Sequence, residues 1–287
     1  MMKLNGKTAL VTGSTDGVGR LVATRLAAAG AFVLVHGRDR ARGERLVGEI
    51  TGDGGAAEFL AADLSALGAV RGLAEAVRRR TERLDILINN AGIGTASGGG
   101  VRQTSADGYE LRFAVNYLAG FLLTHLLLPL LRASAPARIV NVASAGQQAI
   151  DFADIMLTRG YSGTRAYCQS KLAQIMFTID LARALKGSGV TVNCLHPATY
   201  MNTTMVREAG VTPWSSVEEG AEAILNLAAS PALDQRSGLY FNGLAEARAD
   251  RQAYDAGARQ RLSEVSRQLT EAFARPFAAG SDTGGRG

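Results

Sequence analysis

Short, almost wholly apolar runs alternate with helically spaced stretches along most of the chain. KTALVTG (7–13), FVLVHG (32–37), AAEFLAAD (56–63), LDILINNAG (84–92), ARIVNVAS (137–144), GVTVNCLHP (189–197) and SGLYFNG (237–243) read as strands. Helical spacing covers VGRLVATRLAAAG (18–30), residues 40–51 and 66–81, an apolar stretch near 109–133, a helix from near Thr164 to about Leu185, and EEGAEAILNLAA (218–229). Strands apolar on both faces, each followed by a helix, predict an α/β fold with a parallel sheet covered by helices. A glycine-rich loop spans roughly 92–103, and 145–163 reads as a loop or short helix. A mostly helical, arginine-rich tail covers about 246–275, and the last residues, FAAGSDTGGRG, read as frayed. No repeat and no long linker interrupts the pattern, so 1–287 is expected to form a single domain.

Composition narrows the function classes. With 47% apolar residues the 287-residue chain can bury a large core, which argues against extensive disorder. A net charge of +5 is modest, and the run Arg78, Arg79, Arg80 reads as a solvated helix end, so no nucleic-acid partner is expected. FLLTHLLLPLL (121–131) is short and carries a histidine and a proline, which suits a buried helix and predicts no membrane span. Cys168 and Cys194 form neither a CxxC pair nor a metal-ligand cluster. Reduced thiols and the lack of a secretory apolar region predict a cytoplasmic protein without a metal.

The first strand runs into TGSTDGVG (12–19), and an apolar helix follows. Gly13 permits the tight turn, Gly17 lets backbone approach a diphosphate, and Gly19 lets helix and sheet pack closely. Thr15 and Val18 complete this candidate cradle, and the helix start supplies unpaired N–H groups. Strand, turn and helix in that order predict dinucleotide binding, and the absence of a GK pair disfavours ATP hydrolysis. The second strand ends in Gly37 and Arg38. A guanidinium there can hold a 2′-phosphate, which points to NADP(H) ahead of NAD(H). Asp39 is a competing partner for Arg38 or Arg40. Asp63 and Leu64 suit an adenine site, and Asp63 equally suits a helix N-cap. Asn90, Ala91 and Gly92 in NNAG (89–92) let backbone pass close to a flat cofactor.

YSGTRAYCQSK (161–171) concentrates polar chemistry. Tyr167 and Lys171 are four residues apart and share a helix face. An ammonium near the phenol favours phenolate, so Tyr167 can exchange a proton with a carbonyl or carbinol oxygen. Ser144 ends the fifth strand at the sheet's carboxyl edge, and Asn116 can bind a water that feeds protons to Lys171. His36, His125 and His196 lack a partner serine in a GxSxG setting, so an acyl-transfer triad is excluded and local structural roles are expected.

These motifs resemble the classical short-chain dehydrogenase/reductases. TGSTDGVG matches that family's TGxxxGxG loop, NNAG its second signature, and Asn116, Ser144, Tyr167 and Lys171 its tetrad, from Lys7 to about Gly243. The resemblance implies a Rossmann-type doubly wound sheet of seven parallel strands in the order 3-2-1-4-5-6-7. It implies Tyr167 as general acid or base, Ser144 holding the substrate oxygen, and Lys171 lowering the tyrosine pKa and binding the nicotinamide ribose. It implies Asn116 at the relay water, with Asn90 and Gly92 beside the cofactor. AYCQSKLAQIMFTIDLAR (166–183) and Arg38 are similar to the retinol dehydrogenase and WW-domain oxidoreductase branch. A homodimer or homotetramer through the helices at 109–133 and 164–185 is also implied.

Three features depart from the family pattern. Pro197 is followed by Ala198 instead of glycine, and Thr199 is assigned to the cofactor amide. Ser144 and Tyr167 are separated by 22 residues, whose Ile150, Phe152, Ile155, Met156 and Leu157 fit either a substrate wall or a short helix's core. The tail from about Glu246 covers the pocket, packs on its own subunit, or joins subunits. With a loop at about 199–216 bearing Met201, Met205, Val211 and Trp214, the expectation is an NADPH-dependent carbonyl reductase or secondary alcohol dehydrogenase acting on a bulky apolar molecule, such as a polyketide-type ketone. An NAD-dependent alcohol dehydrogenase and a non-catalytic dinucleotide sensor are the alternatives.

Overall fold

The computed structural model of the chain describes residues 3–96 and 101–274. The end read as frayed, FAAGSDTGGRG, and positions 97–100 of the glycine-rich loop lie outside the described residues.

The apolar runs form one twisted sheet. It comprises β1 (Thr8–Val11), β2 (Phe32–Gly37), β3 (Ala56–Ala61), β4 (Ile86–Asn89), β5 (Ala137–Val142), β6 (Val190–His196), β7 (Tyr240–Asn242) and β8 (Ala245–Ala247). Their order is β3-β2-β1-β4-β5-β6-β7-β8. The first seven are parallel, in the predicted order. The sheet has eight strands, not seven: β8 turns back antiparallel on β7. Gly243, at φ +59°, makes that reversal, and its N–H donates to the His196 carbonyl at 2.8 Å. Three residues, AEA, are too few to show a strand period.

Helices α1 (Gly17–Ala28), α2 (Arg40–Gly52) and α7 (Val217–Ala229) cover one face, where Val22, Leu26, Leu46 and Ile224 meet Val33, Val35 and Val140. The other face carries α3 (Leu67–Arg80), α4 (Ala119–Ala133), α5 (Gly163–Ala184) and α8 (Ala256–Thr270), through Leu73, Leu122, Leu172 and Leu262. Each such side chain removed from water contributes about 1.5–3 kcal/mol, which is why central strands must be apolar on both sides. A short α6 (Thr204–Glu208) lies in the loop after β6.

The helix expected over 109–133 is not uniform. Phe113–Leu118 winds as a π-helix before α4 begins. Such widened turns recur at functional sites, and Asn116 lies within this one. Phe113–Ala133 is long and apolar enough to cross a membrane, but 67% of its most apolar window is buried in the fold, as in a core helix.

Segment 145–162 is a loop without a helix. Ile150 and Leu157 are buried in it, and Phe152, Ile155 and Met156 pack against the core. The tail docks on its own subunit. Arg259 Nε donates to Asp180 on α5 at 2.6 Å, the Tyr117 hydroxyl meets Ser266 Oγ at 2.7 Å, and Gln252 exchanges hydrogen bonds with the Ile150 backbone.

Candidate functional site

The strand order reverses between β1 and β4, and the crevice at such a switch point is where open α/β sheets bind ligands. The glycine turn lies on this edge. Gly13 has φ +63°, and a Cβ there would come within 2.8 Å of Ala91 Cα. At Gly19 a Cβ would come within 2.3 Å of the Gly13 carbonyl oxygen and 2.4 Å of Asn90 Nδ2. The turn is therefore sewn onto NNAG as closely as backbone allows. Thr12 Oγ1 accepts from the Asn90 and Ala91 N–H groups, and Asn90 Nδ2 donates to the Thr12 and Gly13 carbonyls. Asn90 holds the turn in shape; its amide nitrogen is already committed. Asp16 caps α1 by accepting from Gly17 N at 2.7 Å.

His36 completes the cradle. Its Nδ1 accepts from the Gly13 N–H at 3.1 Å, while its backbone holds both the N–H and the hydroxyl of Ser14. Burial pushes its pKa down to about 4, so the ring is neutral and able to accept. The structural role expected for this histidine is thus a specific one.

At the tip of β2, Gly37 leaves room for Thr15, whose Cγ2 would lie 2.6 Å from a Cβ there. Arg38 is exposed. Asp39 does not compete for it: Asp39 caps α2 by accepting from Arg42 N at 3.0 Å and pairs with the Arg42 guanidinium at 3.5 Å. Arg40 pairs with Glu44. Asp63 is exposed and accepts from Ser65 N at 2.9 Å, whereas the N-cap of α3 is Ala66, so Asp63 shapes a local turn. Leu64 is buried in the core.

The four chemistry-bearing residues converge on the same edge. Ser162 caps α5 and starts the helix that carries Tyr167 and Lys171. Lys171 Nζ lies 5.7 Å from the Tyr167 ring centroid. A Cβ on Gly92 would stand 3.3 Å from Asn116 Oδ1 and 3.5 Å from Lys171 Nζ, so these three groups share one corner. Asn116 Oδ1 accepts from Ile93 N at 2.8 Å, and its Nδ2 donates to the Ile93 carbonyl and to Ser170 Oγ. The π-helix thus clasps the chain leaving NNAG. Ser144 Oγ accepts from Gly146 N at 3.0 Å and hydrogen-bonds the Tyr167 phenol.

One electrostatic expectation is corrected. Burial raises the Tyr167 pKa, with the Ser144 hydrogen bond opposing it; no net lowering by Lys171 results. Lys171 is only 4% exposed, and burial pushes its own pKa down to about 7.

Beyond β6, the Thr199 hydroxyl bonds His196 Nε2 at 3.0 Å. The loop then crosses the cleft. Thr203 Cγ2 lies 3.2 Å from where a Gly17 Cβ would be, Met205 lies against Gly94, and Tyr200 meets Trp214 edge to face at 5.4 Å. Sequence reasoning missed Thr203, and the threonine pair that ends TYMNTT was its only signal. It also missed Arg112. That buried guanidinium holds the Gly94 and Thr95 carbonyls and the Tyr161 hydroxyl, tying the loop after NNAG to the start of α5.

Comparison with known proteins agrees with this geometry. A family model described as short chain dehydrogenase matches residues 7–213. Human "Retinol dehydrogenase 13" is 39% identical, over 92% of this chain and 84% of its own length. A crystal structure of an uncharacterised protein from Mycobacterium paratuberculosis superposes with TM-score 0.79 at 30% identity, covering 94% of this chain and 96% of that one. The Pseudomonas aeruginosa RhlG/NADP active-site complex superposes with TM-score 0.69 at 30% identity, covering 84% and 95%. The chain belongs to the short-chain dehydrogenase family, a class of NAD(P)-binding oxidoreductases, and is related to its retinol dehydrogenase branch.

Proposed function

We propose that the protein is an NADP(H)-dependent carbonyl reductase, reversible as a secondary alcohol dehydrogenase, acting on a bulky apolar ketone. The observation that carries this reading is the meeting of Tyr167, Lys171, Ser144 and Asn116 beside a turn whose Gly13 and Gly19 leave no room for a Cβ. Gly13, Thr15, Gly17, Val18 and Gly19 fit a diphosphate, with Asn90, Ala91, Gly92, Pro197 and Thr199 bordering the nicotinamide. Asp63 and Leu64 are assigned to the adenine end. Bound NADPH supplies the hydride.

The chain's own groups supply the rest. Ser144 orients the substrate oxygen, and Tyr167 gives it a proton. Lys171 binds the nicotinamide ribose and supports the phenolate left behind, and Asn116 anchors the water that restores the proton. Arg38, free of Asp39, is assigned to the 2′-phosphate. The NADP named in the Pseudomonas complex supports that cofactor choice.

The exposed Trp214, Tyr200 and Met205 in the loop at 199–216 support an apolar substrate, of the polyketide or retinoid kind. A single domain over 1–287, a cytoplasmic location and a homodimer or homotetramer belong to the same proposal. The free thiols Cys168 and Cys194 fit a reducing compartment. A panel of apolar ketones assayed with NADPH and with NADH tests the reading: turnover that prefers NADPH supports it, and cofactor binding without turnover of any ketone opposes it.

A further inference from the structure

Lys171 does not stand free at the cleft. Its Nζ donates to the Val142 carbonyl and to Gln174 Oε1, each at 2.9 Å. Gln174, one helical turn beyond, is 4% exposed and belongs to a buried polar ladder. Thr178 Oγ1 donates to the Gln174 carbonyl, Asn141 Nδ2 to Thr178 Oγ1, and Asn89 Nδ2 to Asn141 Oδ1 and Thr124 Oγ1. This ladder ties α5 to β5, β4 and α4 behind the catalytic corner. Gln174, Asn89 and Asn116 also line a cavity of about 10 Å³, and Asn89 Oδ1 is buried with no partner among the described residues.

A buried polar ladder is costly unless its members are satisfied, so its position under one ammonium needs a reason. We propose that Gln174 is a positioning residue, whose carbonyl oxygen fixes the place of the Lys171 amine and favours its charged form. The inference rests on the reductase reading for its consequence in turnover, but not for its geometry.

An amide oxygen is an acceptor that stabilises –NH₃⁺ without itself titrating. The other groups facing Lys171 are the Tyr167 phenol on α5 and His196 on β6, whose proton affinity burial and then Lys171 lower. Asn116 and Gly92 on the remaining sides are uncharged. Burial lowers the lysine's own proton affinity. Against that opposing force stand two acceptors, the Val142 carbonyl and Gln174 Oε1, and only the second can be removed by a side-chain substitution.

The test uses the whole chain without cofactor and reads the lysine directly. The sequence has four lysines, Lys3, Lys7, Lys171 and Lys186, so side-chain ¹³Cε signals can be followed one by one, with Lys171→Arg assigning the relevant one. Gln174→Leu removes the acceptor and should move the Lys171 midpoint to lower pH by about one pH unit, while Gln174→Glu should move it higher. In turnover, Gln174→Leu should lower kcat between about ten- and a hundredfold with little change in KM for ketone. The alkaline limb of ketone reduction should move down for Gln174→Leu and up for Gln174→Glu. A merely structural role would shift both variants alike.

Folding of each variant is checked by circular dichroism. If Gln174→Leu does not fold, the sign of the Gln174→Glu shift alone decides. Unchanged Lys171 midpoints, or shifts in the same direction, overturn the proposal. A shift of opposite signs in a protein that reduces no ketone would leave Gln174's role intact and remove the reductase reading.

Discussion

Lys171 Nζ stands 5.7 Å from the centre of the Tyr167 ring, while both of its hydrogen bonds point away from the phenol, to Val142 and Gln174. The pair is adjacent but not yet coupled by a direct bond. Burial raises the proton affinity of Tyr167 and lowers that of Lys171.

Tyr167→Phe keeps the ring and removes the acid. Turnover should fall by about a thousandfold, which corresponds to roughly 4 kcal/mol of barrier. The NADPH dissociation constant, measured by fluorescence titration, should stay within about threefold of wild type. Parallel loss of binding and turnover would instead make Tyr167 a structural residue.

Arg38→Ala tests the cofactor choice. Asp39 pairs with Arg42, so among the described residues this neighbouring carboxylate does not neutralise Arg38 in advance. Affinity for NADPH should drop by about ten- to a hundredfold, as for loss of a charge-assisted fork, with NADH affinity unchanged. Calorimetric titration with both nucleotides separates the outcomes; equal losses would remove Arg38 from the 2′-phosphate site.

Gly19→Ala should disable the cradle. The new methyl would fall 2.3 Å from a carbonyl oxygen and 2.4 Å from the Asn90 amide, so backbone must move. A destabilisation of about 1–3 kcal/mol and at least a tenfold loss of cofactor affinity are expected from denaturation and binding curves.

His36 makes the cradle acid-sensitive. Its folded pKa is about 4 against an ordinary 6.5, so the unfolded chain binds more protons between those values. Its contribution to stability is complete above pH 6.5 and is lost as pH falls towards 4, by up to about 3 kcal/mol. His36→Asn keeps an acceptor for Gly13 N–H but cannot titrate, so the slope of stability against pH across that window should shrink by about one proton. An unchanged slope would assign the acid sensitivity elsewhere.

The parallel strands were legible because β1, β4 and β5 are apolar on both faces, a pattern a helix-covered sheet demands. The tetrad was legible from the family resemblance of Asn116, Ser144, Tyr167 and Lys171 taken together behind the glycine turn; of their spacings, local helix geometry fixes only that of Tyr167 and Lys171. The π-turns around Asn116 were not, since their signal is a tertiary clasp onto Ile93 and not a residue period. Likewise Gln174 reads as one more polar residue of α5 until folding brings β4, β5 and α4 behind it. The apolar segment 150–157 left two roles open in sequence. In the fold Ile150 lies in the core and Phe152, Ile155 and Met156 pack against it, without a helix.

The most direct measurement is label transfer. NADPH deuterated at nicotinamide C4 is incubated with the protein and an apolar ketone, and the alcohol is analysed by mass spectrometry. Wild type should yield alcohol one mass unit heavier on the carbinol carbon, from one face of the nicotinamide only, and Tyr167→Phe almost none. Unlabelled alcohol, or no alcohol from any ketone while NADPH is bound, would contradict hydride transfer at this site.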